Sequence, residues 1–84
     1  MSKKEKLILR AKSIPSDFNY NELLLFLSFL GFKETTKGKT SGSRVAFIDD
    51  KGNKILLHKP HGKSAILKAA LKDIVIFLEN QELI

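Results

Sequence analysis

Apolar residues recur with a helical period at both ends of this chain and with a period of two in its middle, so helices should flank a small sheet. Leu7, Ala11 and Ile14 form one apolar stripe, predicting a first helix from about Lys4 to Ser13 that Pro15 terminates. Asn19 and Glu22 have capping-box spacing and open a second helix from Tyr20 to Leu30, stopped by Gly31. In that helix Leu23, Phe26, Leu27 and Leu30 form a core face, while Leu24, Leu25 and Phe29 widen the apolar girth. Either the helix is covered on two sides, or it offers a docking surface. Phe18 and Tyr20 read as core that anchors the preceding loop.

Phe32 to Thr36 reads as a weak strand, followed by a small, polar, basic loop from Lys37 to Gly42. Val45 and Phe47, then Ile55 and Leu57, alternate around Asp49-Asp-Lys-Gly-Asn53 and predict a hairpin. Setting Phe47 opposite Ile55 and Val45 opposite Leu57 leaves Asp50-Lys51-Gly52 as the loop, with positive φ at Gly52. The same register puts Arg44 opposite His58, on the face away from the core. Pro60 interrupts the sheet, and Ser64 is a candidate N-cap for a last helix to about Asn80, with Leu67, Ala70, Leu71, Ile74, Phe77 and Leu78 as its stripe. The expected class is α+β in the order α-α-β-β-β-α, with a three-stranded antiparallel sheet covered on one face by helices. With 84 residues and no linker, the chain reads as a single domain, 1–84.

Composition fits a folded chain, with 43% hydrophobic and 29% charged residues. The absence of cysteine excludes disulfides, a thiolate zinc site and a cysteine nucleophile. The longest apolar run, Leu23 to Leu27, falls far short of the ~20 residues that span a bilayer, and no signal-peptide core follows the N-terminus, so a soluble cytoplasmic protein with no membrane partner is expected. Charge changes the picture more. The net +6 is concentrated in residues 1–14 (+4) and 33–63 (+5), which favours a polyanionic partner or an acidic protein surface. The N-terminal lysines by themselves read as a solvated face.

Several chemistries can be weighed against those residues. Gly38-Lys39-Thr40 resembles the end of a phosphate-binding loop, but Lys33 stands where the required first glycine would be. His58 and His61 have no third ligand near them, because Asp49 and Asp50 sit at the hairpin tip, so no metal and no cofactor is expected. Nothing around Ser43, the histidines, Asp17 or Asp73 resembles a nucleophile elbow. Cleavage of RNA asks for less, since the 2′-hydroxyl is the nucleophile and the protein supplies a base, an acid and cations around phosphorus. Arg44, His58, His61 and Lys63 are suitable and close in sequence. The plainer readings are that His58 packs over Leu56 or meets a protein, and that His61 is only a loop residue beside Pro60 and Gly62.

Gly31-Phe32 ending a helix, then Gly42-Ser43-Arg44-Val45, the hairpin, Leu57-His58-Lys59-Pro60-His61 and a C-terminal helix together resemble the HicA toxins of bacterial toxin-antitoxin pairs. The likeness covers residues 20–80, leaving 1–19 as an N-terminal helical extension. It implies a double-stranded-RNA-binding-domain-like fold, metal-independent cleavage of mRNA by an mRNA interferase, and neutralisation by a HicB-like antitoxin. With that fold, RNA contacts are expected from Lys37, Lys39, Ser41, Ser43, Arg44, Lys59 and Lys63, and acid-base work from His61 or His58. Where the family carries a catalytic histidine after Gly-Ser, this chain has Arg44. Arginine stays protonated in proteins. It can clamp the scissile phosphate while a histidine acts as base; otherwise the chain is a non-catalytic RNA-binding domain or a protein-interaction module built on the same fold.

Overall fold

A computed structural model of the chain describes residues 2–35, 44–58 and 65–84. Among the described residues, three helices and three strands follow in the expected order: α1 (Lys3–Lys12), α2 (Tyr20–Phe29), β1 (Lys33–Thr35), β2 (Arg44–Ile48), β3 (Lys54–His58) and α3 (Lys68–Asn80). The strands form an antiparallel sheet in the order β1-β2-β3. Val45, Phe47, Ile55 and Leu57 all point into one core, which they share with Ala11, Phe18, Leu23, Phe26, Leu27, Ile66, Leu71, Ile74, Val75 and Leu78 from the helices and their approaches. The helices therefore cover one face of the sheet. Its other face is open.

Local chemistry sets most element ends. Ser2 caps α1 by accepting from the Glu5 N–H at 3.2 Å. The capping box of α2 is complete, with Asn19 Oδ1 accepting from Glu22 N at 2.8 Å and Glu22 Oε1 accepting from Asn19 N at 3.2 Å. Gly31 ends that helix at φ +92°, allowing Phe32 N to donate back to Leu27 O at 2.9 Å. Ile14, expected as the last residue of the first stripe, lies beyond α1 at φ +48°, where the following Pro15 disfavours a helical backbone. It still packs against the core.

The apolar girth of α2 is resolved by α1, which packs against it. Leu24 and Leu30 are partly covered, whereas Leu25 remains exposed. Arg10 fastens the two helices. Its Nε donates to Glu22 Oε2 at 2.7 Å, and its Nη2 donates to Glu22 Oε1 and Asp17 Oδ1, both at 3.1 Å. The guanidinium carbon also lies 5.6 Å from the centroid of Phe18, whose ring meets Phe26 edge-on.

The Arg10 bond, then the Asn19 N–H, hold the Glu22 carboxyl below its ordinary value of 4.5 against a desolvation that pushes it up. Because the folded value is depressed, this stabilisation is present above the unfolded value and is lost as pH falls through the folded one. Both partners are partly solvated, so the effect is small. Glu22→Gln should melt about 1–6 °C below the parent at pH 7, and the gap should narrow as pH falls below the ordinary carboxylate range, followed by circular dichroism.

The last helix starts later than its apolar stripe predicts. α3 begins at Lys68 with Leu67 as an N-cap that makes no side-chain bond, and Leu67 is 76% exposed, not part of the core stripe. The expected cap, Ser64, lies outside the described residues. The cause is long-range: Ala65 bridges Asn19, and Ile66 N donates to Phe18 O at 2.7 Å. Residues engaged in an extended pairing cannot also be helical. Among the described residues, no helix is long and apolar enough to cross a membrane.

Candidate functional site

Alternation along the hairpin builds the site. With Val45, Phe47, Ile55 and Leu57 turned inward, Arg44, Ala46 and Ile48 on β2 and Lys54, Leu56 and His58 on β3 must face outward. The pairings arrange them in rows. Arg44 stands opposite His58; Ala46 lies between Thr35 and Leu56; Ile48 lies between Lys33 and Lys54. Directly opposed residues on one sheet face have Cβ atoms about 4.5–5.5 Å apart, so Arg44 and His58 can address one ligand together.

The hairpin tip holds this register. Asp49 Oδ1 accepts from the N–H groups of Lys51 and Asn53 at 3.0 and 2.8 Å, and Oδ2 accepts from Asn53 Nδ2 at 2.8 Å. Gly52 completes the turn at φ +87°. Desolvation raises the Asp49 carboxyl, but the bonds from Asn53 and Lys51 outweigh it and leave the group below its usual range. Asp49 and Asp50 are thus turn residues, as their position in the sequence suggests. They do not reach the Arg44 end.

The open face is cationic and carries no acid of its own among the described residues. Glu34, the acid on β1, is paired with Phe47 on the inward-facing register and accepts from Tyr20 Oη at 2.9 Å. Burial first, and then this carboxylate, push the Tyr20 phenol above its ordinary value. Ion pairs among the described residues are confined to Arg10 with Asp17 and Glu22. Lys33, Arg44 and Lys54 consequently keep their charge available to a ligand.

Two candidate residues, Arg44 and His58, are brought together here. His61, Lys37, Lys39, Ser41, Ser43, Lys59 and Lys63 lie outside the described residues, although Ser43 and Lys59 are covalent neighbours of Arg44 and His58. Lys33, Ile48, Lys54 and Leu56 were not expected to share the face. The signal for them is the same period-two alternation that identifies the core, read for its odd partners. Among the described residues no three histidine, aspartate or glutamate side chains gather as a metal-ligand set. A shallow apolar depression between α1 and α2, lined by Lys3, Lys6, Leu7, Arg10 and Leu25, offers no acid-base pair.

Fold and site together define a small basic α+β protein with one covered and one open sheet face. Compared with family profiles, curated proteins and solved structures, the chain matches none.

Proposed function

We propose that this chain is an RNA-directed toxin of the HicA type, built on a double-stranded-RNA-binding-domain-like core and acting in the cytoplasm as a metal-independent mRNA interferase that a HicB-like antitoxin neutralises. The observation that carries the reading is the pairing of Arg44 with His58 on an exposed face without carboxylates. Arg44 grips the scissile phosphate through its guanidinium fork. One histidine, His61 or His58, takes the proton of the 2′-hydroxyl; its oxygen bonds to phosphorus, the bond to the 5′-oxygen breaks, and an acid returns a proton to that oxygen. A 2′,3′-cyclic phosphate and a 5′-hydroxyl result. Lys37, Lys39, Ser41, Ser43, Lys59 and Lys63 supply phosphate contacts along the strand.

Purified protein should cut single-stranded RNA in EDTA, with a rate that changes between pH 5 and 8, where histidine changes charge. His61→Ala or His58→Ala should lower that rate by at least about 100-fold. Uncut RNA, or a rate indifferent to both substitutions, removes the catalytic assignment. A second reading, RNA binding without cleavage, is favoured by Arg44 standing where the family's histidine is expected. Saturable, salt-sensitive binding with no products would establish it.

A further inference from the structure

Away from the Arg44 and His58 end, the open sheet face sets apolar side chains between its cations. Leu56 is 70% exposed, Ile48 is exposed beside it, and the small Ala46 lies at the centre of the face between Leu56 and Thr35. Lys33 and Lys54 stand on either side of Ile48. We propose that this end of the face docks an acidic amphipathic helix of a partner protein, with its apolar stripe on Leu56, Ile48 and Ala46 and its flanking carboxylates on Lys33 and Lys54.

Shape and charge both select that occupant. Three strands spaced by about 4.8 Å present a surface about 10 Å wide, the diameter of one helix with its side chains. A cation, an apolar residue and a cation in one row complement a helix whose leucine stripe is bordered by glutamates. Single-stranded RNA is a poorer fit to this end of the face, because Lys33, Ala46, Ile48, Lys54 and Leu56 offer bases no ring to stack on. A second copy of the chain is opposed by charge, since a two-fold contact would set the same lysines against each other. Leu56 between Lys54 and His58 on β3 makes the occupant a neighbour of the Arg44 and His58 end. A docked helix would then stand beside any RNA held there. The docking itself does not require that RNA be cut.

The test uses a synthetic helix with leucine at i, i+3, i+4 and i+7, glutamate on both flanks and alanine elsewhere, titrated into the labelled full-length protein by NMR. Saturable shifts of the amides of residues 33–35, 46–48 and 54–56 are expected. Leu56→Ser should weaken the peptide at least about fivefold while leaving its melting temperature and its affinity for oligouridylate unchanged. Lys54→Glu should weaken it further, and added salt should do the same in the parent. The proposal is overturned by absence of saturable binding, by shifts confined to α1 and α2, or by a Leu56→Ser protein that binds the peptide as the parent does. It is equally overturned if Leu56→Ser instead dissolves a dimer or abolishes oligouridylate binding. Failure of RNA cleavage leaves these outcomes untouched, so the two readings fail separately.

Discussion

Phe47→Ala should lower the melting temperature by at least about 15 °C, the largest effect expected of any single substitution on the outer strands or hairpin. Phe47 is 1% exposed and lies on the central strand, with Glu34 of β1 and Ile55 of β3 opposite it. Removing a buried phenyl ring from such a site costs about 3–5 kcal/mol, because the vacated space closes only partly. A domain of this length has roughly 4–13 kcal/mol to lose. Collapse around the gap is further restricted by hydrogen-bonded neighbours on both sides of β2. The control is Leu56→Ala, one position along β3 from the Ile55 that faces Phe47: its side chain faces outward, so its cost should stay within about 0.5 kcal/mol. Thermal melts of the two variants compare the covered and open faces directly. Similar destabilisation by both would contradict the assignment of faces.

Arg44→Ala should weaken single-stranded RNA binding by about 10- to 100-fold at low salt while leaving the melting temperature within about 2 °C of the parent. Arg44 is exposed, its described neighbours on the face are His58 and apolar groups, and its backbone pairing with His58 survives truncation. A charge-assisted contact to phosphate contributes about 1.5–3 kcal/mol, which sets the fold-change. The dependence of affinity on salt should also flatten by about one counterion. Arg44→Lys separates two roles. A lysine keeps the charge but not the fork, so it should restore the salt dependence and only part of the affinity. Unaltered RNA affinity in Arg44→Ala would displace the nucleic-acid site from this end of the sheet.

Much of the fold can be read along the chain because its determinants are local. The capping box of α2 needs only Asn19 and Glu22, three residues apart, and the Gly31 stop needs one residue without a Cβ. The hairpin register follows from a sheet with one covered face, since a slip by one residue would turn Phe47 and Ile55 into water. Arg44 and His58 come with that register. What stayed hidden depends on distant partners. Arg10 reaches Glu22 across twelve positions, a distance at which neither periodicity nor a motif signals a contact. The start of α3 is hidden for the same reason, because an apolar stripe continues through Leu67 regardless of whether Ala65 is bridged to Asn19. On the open face, the exposure of Leu56 and Ile48 follows from simple alternation with the buried residues of β2 and β3.

The hydrogen bond from Ile66 N to Phe18 O ties the approach to α2 to the approach to α3, enclosing α2 and the whole sheet between its two ends. For a chain emerging from a ribosome this sets an order of events. α1 and α2 can pair early through Arg10, and β2 can find β3 as soon as the hairpin is made. Phe18 nevertheless cannot complete its surroundings until residue 66 has emerged, so the core stays part-formed until that segment, and then Leu71, Ile74, Val75 and Leu78 of α3, have followed.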